Sequence, residues 1–447
     1  MTRKYFGTDG VRGRVGQQPM TVDFAMRMAS AAARVLMPNG GTVVIGKDTR
    51  VSGYMFEAAL EAGFVAAGAN VRLLGPLPTP GIAYFTQLLG ADLGVVISAS
   101  HNPYFDNGIK FFDGKGAKLS DEQEAQIEAL IEEPIITRDS AELGRAVRIS
   151  KAVDSYKEHC KQTFPKDLDL AGFKIVLDCA HGAAYKAAPR VLADLGAELI
   201  PIGCSPNGRN INADAGSTHP ELLQLTVKGV RADLGIALDG DGDRLVMVDH
   251  HGELVDGDQL LYLLAMAHAD AGTLVGPVVG TVMSNLGLEH ALGRAELEFR
   301  RARVGDRHVL EMLRNHGGIL GGETSGHILC LDKSTTGDGI VSALQVLAAV
   351  RRSGQTLAEL CSGMARYPQK LINVSVSQRV DLGSSEVVAA AVEQAEGRLA
   401  DTGRIVLRPS GTEPVIRVMV EGQDEALVDE LAGVIADAVR VAARSAA

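Results

Sequence analysis

One pattern recurs along the chain and constrains its fold more than any other: a short Val/Ile/Leu run that empties into a loop rich in Gly, Asp or Ser. It occurs at "TVVIGKDTR" (42–50), "GVVISASHNP" (94–103), "KIVLDCAHG" (174–182), "LGIALDGDGDR" (235–244), "VVGTVMSN" (278–285) and "ILGGETSGH" (319–327). The runs are apolar at odd and even positions alike, so each strand must be covered on both faces. That demands α/β layers rather than one-sided antiparallel sheets, with an amphipathic helix tending to follow such a run. Helix-start signals stand between them. Thr21 opens an apolar-periodic stretch to Leu36, Ser120 to Gln123 reads as a capping box for a helix through Ile131, and Asp258 and Asp338 precede long Leu/Ala/Val-rich stretches. The architecture recurs but the sequence does not, so the chain is a set of similar α/β units and not a solenoid.

At 447 residues the chain is too long for a single hydrophobic core. Polar connectors near 148–154, 250–256 and 366–369 divide it into α/β domains over 1–152, 153–253 and 254–366 and a last unit over 367–447. The last unit differs in character. "KLINVSVS" alternates, a helix follows through Leu399, "RIVLRPSGTEPVIRVMVEG" reads as strand, loop and strand, and a helix from Glu425 closes the chain. That is an α+β unit, giving three similar mixed-sheet α/β domains plus one of another class.

Charge and composition exclude several partners. A formal charge of −11 and 4% aromatic residues without Trp argue against nucleic acid, which needs basic patches and stacking surface. The longest apolar runs, such as Leu260 to Ala267, fall short of a membrane span, and the N-terminus shows no secretory h-region, so a cytoplasmic protein is expected. The five cysteines are scattered without a C-x-x-C, which points to reduced thiols rather than disulfides or zinc.

Four loops carry candidate chemistry. In "DGDGDR" the carboxylates of Asp239, Asp241 and Asp243 alternate with glycines, and a curled backbone can converge them into a hard-oxygen site suited to Mg²⁺. An EF-hand is excluded, because Arg244 stands where its glycine of position 6 belongs and His250 where its bidentate glutamate belongs. Ser100 ends a strand but does not sit in a G-x-S-x-G elbow, and His101 beside it is badly placed for a dyad. A serine near a Mg²⁺ site suits a phosphoserine, with Lys110 further along the same loop as counter-charge or proton shuttle. In "RPSGTEPVIR" Arg408 and Arg417 frame Ser410, Gly411 and Thr412, a nest with guanidinium groups fit for a phosphate dianion. In "GGETSGH" Glu323 and Ser325 can pair with a sugar's vicinal hydroxyls.

These loops, in the order "SASHNP", "DGDGDR", "GETSGH" and "RPSGTEP", resemble the α-D-phosphohexomutase superfamily over essentially the whole chain. Within it, "KYFGTDGVRG", "ISASHNPYFDNGIKFF", "MSNLGLE" and "RARVGDR" are similar to the bacterial phosphoglucosamine mutases. The resemblance implies a heart-shaped arrangement of the four domains and interconversion of glucosamine 6-phosphate and glucosamine 1-phosphate on the route to UDP-N-acetylglucosamine. It implies a phosphoserine at Ser100 and Mg²⁺ held by Ser100, Asp239, Asp241 and Asp243, with a hexose 1,6-bisphosphate as intermediate and activator. Arg12, His101, Lys110 and Arg244 match basic residues around the reacting phosphate. Glu323, Ser325 and His327 match the sugar loop, and Arg408, Ser410, Gly411, Thr412 and Arg417 the phosphate loop. The partners implied are sugar phosphates, with the chain a monomer or homodimer. Thr324 departs from the pattern, since the phosphoglucosamine mutases carry Gln or Asn there. That position keeps a glucose- or mannose-phosphate mutase as the alternative, with a hinge near Tyr367–Pro368 expected to open for the intermediate to turn.

Overall fold

The computed structural model describes residues 4–7, 9–376, 385–409 and 415–445. Among them the strands form four sheets. The first contains β1 (Val11–Arg14), β2 (Gly41–Lys47), β3 (Ala69–Pro76), β4 (Leu93–Ile97), β5 (Asp106–Asp113) and β6 (Ala146–Arg148), in the order β1-β5-β4-β2-β3-β6. The second contains β7 (Lys174–Asp178), β8 (Glu198–Ile202), β9 (Leu234–Leu238), β10 (Leu245–Asp249) and β11 (Leu254–Val255), in the order β11-β10-β9-β7-β8. The third orders β12 (Val278–Thr281), β13 (Phe299–Ala302), β14 (Leu320–Gly322) and β15 (Ile328–Cys330) as β13-β12-β14-β15. The fourth sets β18 (Val415–Gly422) between β16 (Gln369–Ser375) and β17 (Gly403–Pro409), all antiparallel.

The first three sheets share one plan. Each has a parallel core, and in each one core strand turns back on itself as an antiparallel hairpin: β4 into β5, β9 into β10, β14 into β15. The expected helix therefore follows the runs at 42–50, 174–182 and 278–285, but not those at 94–103, 235–244 and 319–327. After these latter runs the chain is again a short apolar stretch (Ile109, Phe111 and Phe112; Leu245 to Val248; Ile328 to Cys330), buried throughout and too short for a helix. Three of the four loops singled out in the sequence are these hairpin connections, and the fourth joins β17 to β18.

Three boundaries differ from expectation. Val255 pairs with Met247, so the second sheet runs two residues past 253. The strand before "GETSGH" starts at Leu320, one residue into the run at 319–327, because the N–H of Gly318 is still bonded to the Leu313 carbonyl at 2.8 Å and closes the preceding helix. Asp256, not Asp258, caps the helix Gly257–Asp270: its side chain accepts from the N–H groups of Asp258 and Gln259, each at 3.1 Å. Asp258 falls inside the first turn, fully buried.

One apolar core runs without interruption from Val44 to Met364 and fuses the first three domains. Tyr156 is buried within it, its hydroxyl donating to Asp338 Oδ2 at 2.6 Å, and Asp338 in turn caps the helix Gly339–Ser353. The fourth domain keeps a separate core between its sheet and the helices Glu386–Leu399 and Glu425–Ser445. Its link to the third is polar. Asn285 clamps both backbone groups of Tyr367, and Arg404 of β17 donates to the carbonyls of Val282 and Ser284. The five cysteines are free thiols, and no described helix is long and apolar enough to cross a membrane.

Candidate active site

β4 delivers Ser100 to the seam between the first and second sheets. Its φ of +50° lies in the left-handed region, which costs a non-glycine residue about 1–3 kcal/mol where surroundings hold it. Here they do. Ser100 N donates to Ser98 Oγ at 2.9 Å, while its carbonyl accepts from Arg50 Nη2 at 3.1 Å and Asn212 Nδ2 at 2.9 Å. The constrained turn leaves the Ser100 hydroxyl, 1% exposed as a residue, donating to Asp239 Oδ2 at 2.6 Å. His101 Nδ1 is 3.4 Å from Ser100 Oγ. Burial, with the charges of Arg244 and Arg12 beside it, lowers the His101 imidazole to about 4. The residue expected among the basic groups is therefore a neutral ring here.

Asp239, Asp241 and Asp243 converge as the alternating glycines allowed, each offering an oxygen within 4.8 Å of the others, all buried. At Gly240 a Cβ would sit 2.6 Å from the Ser100 carbonyl oxygen, so only glycine lets the two loops meet. Burial and the charges of Asp243 and Asp241 push the Asp239 carboxyl well above its ordinary range. Burial would raise Asp241 too, but Lys110 and a Thr79 hydroxyl bonded at 2.7 Å outweigh it and hold that carboxyl low. Oδ1 of Asp241 and Oδ1 of Asp243 are buried without a hydrogen-bond partner. Three hard oxygen ligands with orphaned acceptors fit a divalent cation.

Lys110 lies within β5, not in the loop before it, because β5 returns alongside β4 and sets Lys110 opposite Val96. Its buried ammonium contacts Asp241 Oδ2 at 2.9 Å and Asp9 Oδ2 at 2.8 Å. Burial works against the charge, but Asp241, Asp9 and Asp243 outweigh it and hold the pKa above the ordinary lysine value. The chain of charges continues. Lys118 Nζ bridges Asp9 Oδ1 at 2.6 Å and Asp306 Oδ2 at 2.5 Å, and His327 Nε2 lies 3.5 Å from Asp306. Burial opposes a charge on His327, yet Asp243 and Asp306 raise it to about 9, so it is an imidazolium at neutral pH. Asp9, Lys118, Asp306, Thr79, Arg50 and Asn212 were not anticipated. Asp9 and Asp306 lay inside quoted motifs, "FGTDG" and "RVGDR", whereas nothing local marks Lys118.

Of these groups Asp9, Ser100, Asp243, Asp306 and His327 reach the wall of a cavity of about 710 Å³. Arg12, Ser100, Asp243 and Arg244 line one side, and Glu323, Thr324, Ser325 and His327 another. Glu323 Oε1 is anchored by Gly305 N at 3.0 Å. The fourth domain closes the cavity with Arg408 and Arg417, which stand directly opposite each other across β17 and β18. Like charges so placed repel, and burial followed by Arg417 lowers the Arg408 pKa. An anion between them would relieve that repulsion. Ser410, Gly411 and Thr412 lie outside the described residues.

The chain matches the phosphoglucomutase/phosphomannomutase family in all four of its parts: the alpha/beta/alpha domain I over 3–135, domain II over 154–252, domain III over 256–367 and the C-terminal domain over 371–438. A phosphoglucosamine mutase of Alkalilimnicola ehrlichii is 59% identical over 99% of this chain and 98% of that protein. One of Thioalkalivibrio sulfidiphilus is 58% identical over 98% of both. Among solved structures, a phosphoglucomutase/phosphomannomutase family protein of Burkholderia thailandensis superposes with a TM-score of 0.80 at 25% identity, covering 97% of each chain. The Aspergillus fumigatus N-acetylphosphoglucosamine mutase, solved with GlcNAc-6P and magnesium, has the same fold at a TM-score of 0.71 and 18% identity, over 99% of this chain and 96% of that one.

Proposed function

The chain belongs to the phosphoglucomutase/phosphomannomutase family, and on that premise we propose that it interconverts glucosamine 6-phosphate and glucosamine 1-phosphate through a phosphorylated Ser100. One observation carries the reading: a strained, buried serine faces a carboxylate triad at the floor of a cavity whose far wall is a pair of opposed arginines.

Asp239, Asp241 and Asp243, with an oxygen of phospho-Ser100, would hold Mg²⁺, which when bound supplies charge neutralisation for the phosphoryl group. The chain's own residues do the rest. Arg12 and Arg244 reach into the cavity beside Ser100 and bind the phosphate's non-bridging oxygens. Lys110 keeps its charge behind Asp241 and is a fixed counter-charge, since a pKa held so high rules out easy proton exchange. His101, a neutral ring 3.4 Å from Ser100 Oγ, adds no charge there and leaves the phosphate to the guanidinium groups of Arg12 and Arg244.

Phospho-Ser100 gives its phosphoryl group to the free hydroxyl of the bound sugar phosphate. The P–O bond to Ser100 breaks as the new one forms, and the proton that the sugar hydroxyl gives up ends on the Ser100 oxygen, leaving glucosamine 1,6-bisphosphate. The bisphosphate turns end for end and its other phosphate returns to Ser100. In either orientation Glu323 and Ser325 hold the sugar, and Arg408 and Arg417 hold the distant phosphate.

A mutase assay with Mg²⁺ and trace glucose 1,6-bisphosphate tests the reading by comparing kcat/KM for glucosamine 1-phosphate, glucose 1-phosphate and mannose 1-phosphate. A clear preference for the amino sugar supports it. Preference for a neutral hexose phosphate would move the protein to a sister activity with the same machinery, and steady release of inorganic phosphate without isomer would make it a phosphatase.

A further inference from the structure

Behind the sugar-facing loop lies a second pocket of about 340 Å³, bordered by Asp256, Asp258, Thr324 and the segment Arg366–Gln369 that leads into β16. Asp258 is out of place there by ordinary rules. Asp256 already caps the helix, so Asp258 has no capping duty, and burial together with Asp256 raises its carboxyl to about 6. A buried carboxylate beside another is a cost that an apolar or amide side chain would avoid.

Its contacts explain what the cost achieves. A single oxygen, Oδ2, accepts from Thr324 Oγ1 at 2.7 Å and from Asn285 N at 2.8 Å. Thr324 is the residue between Glu323 and Ser325, and its carbonyl accepts from Gly257 N at 3.1 Å, so the loop is gripped at side chain and backbone. On the other side, Asn285 clamps Tyr367 with two hydrogen bonds of 3.0 Å, at the entry to the fourth domain. The next residue, Leu286, donates its N–H at 2.9 Å to Glu421, fully buried on the strand that carries Arg417. A continuous hydrogen-bonded path thus joins the loop of Glu323 to the strand of Arg417, and Asp258 is its junction.

We propose that Asp258 is a positioning residue for the mutase reaction, registering the sugar-binding loop against the hinge of the fourth domain so that both grip one sugar phosphate. The proposal rests on the sugar-phosphate reading of the cavity. It assigns Thr324 a role as well: its hydroxyl proton is committed to Asp258, so the residue acts by fixing the loop, whichever sugar is bound.

Four variants test it: Thr324→Val, Asp258→Ala, Asp258→Asn and the double variant Asp258→Ala/Thr324→Val, each assayed with glucosamine 1-phosphate and glucose 1-phosphate. Thr324→Val and Asp258→Ala are expected to raise KM about tenfold, by the same factor for both sugars, with kcat within about twofold. The double variant should be no worse than Asp258→Ala, because the one bond that Thr324→Val removes is already lost with the Asp258 carboxylate. Asp258→Asn should stay within about twofold of wild type, since its amide oxygen can accept both bonds. A purely structural role would instead lower the yield of active enzyme, and hence kcat, at unchanged KM. Thr324→Val, a change of similar volume at a half-buried loop position, serves should Asp258→Ala fail to fold. An unchanged KM in Thr324→Val, additive losses in the double variant, or a loss confined to the amino sugar would overturn the proposal. Amide exchange gives an independent reading. Glucose 1,6-bisphosphate should slow exchange at 366–369 in wild type and much less in Thr324→Val, and equal slowing in both would overturn the coupling. Wild-type sugar preference judges the function, and the variant-to-wild-type ratios judge Asp258, so failure of one is told apart from failure of the other.

Discussion

The Ser100 hydroxyl and Asp239 Oδ2 meet at 2.6 Å although 139 positions separate them, and that single hydrogen bond joins the hairpin of the first sheet to that of the second. Around it the two loops interlock. Asn212 of the second domain donates to the Ser100 carbonyl, and Thr79 of the first donates to Asp241. Ser100 and the carboxylate triad thereby meet from two domains whose shared core fixes their distance.

Replacing Ser100 with alanine should therefore abolish turnover, by at least about 10³-fold, while leaving the fold intact. The substitution removes one hydrogen bond and keeps the backbone held by Arg50 and Asn212. Mutase assay and a thermal melt on the same sample check it. Residual turnover near wild type would exclude a phosphoserine route.

Chelation with EDTA should silence the enzyme and added Mg²⁺ should restore it. Asp241→Asn should weaken metal affinity by about 10–100-fold, because it strips the charge from one of three converging carboxylates and from the partner of Lys110 at once. Titration of activity against free Mg²⁺ measures both.

Arg408 and Arg417 predict a split between binding and stability. Arg408→Gln should raise KM for the sugar phosphate about 10–100-fold, through loss of a charged phosphate contact. Removing one of two opposed like charges should leave the unliganded protein as stable or slightly more so, by up to about 0.5 kcal/mol. Steady-state kinetics and urea unfolding without ligand test the two halves separately.

Asp338 gives a pH-dependent stability. Burial raises its carboxyl from 3.8 to about 6, against the opposing hydrogen bonds from Tyr156 and the helix N-terminus. The folded state thus binds the proton more tightly than the unfolded state. The ionised form costs nothing below pH 3.8, progressively more between 3.8 and 6, and its full amount above 6. Asp338→Asn keeps an acceptor for the cap and should stabilise the protein by about 1–3 kcal/mol at pH 7.5. The gain should vanish toward pH 4. A gain equal at both pH values would show that ionisation of Asp338 is not its source.

Much of this was legible in order along the chain. Capping at Ser120 and Asp338 and the alternation in "KLINVSVS" express local rules, because cap and strand period act over a few residues. The convergence of three aspartates was legible for the same reason, their spacing being itself the constraint. Ser100, Arg12 and Arg244 were named from motifs, yet nothing local could say that they share one cavity.

What tertiary structure alone decided is the company each residue keeps. Lys118 carries no motif and becomes a bridge between Asp9 and Asp306 only because the first and third domains meet there. Asp258 looked like a helix cap, and packing made it the junction between the loop of Thr324 and the segment of Asn285 that holds the entry to the fourth domain. His101 looked basic and is neutral, while His327 is charged, since the same ring titrates according to the carboxylates, guanidinium groups and water around it. Sequence acts over short spans, through backbone geometry and periodicity. Charge state and partnership depend on distances through space, which exist only once the four domains have closed around one cavity.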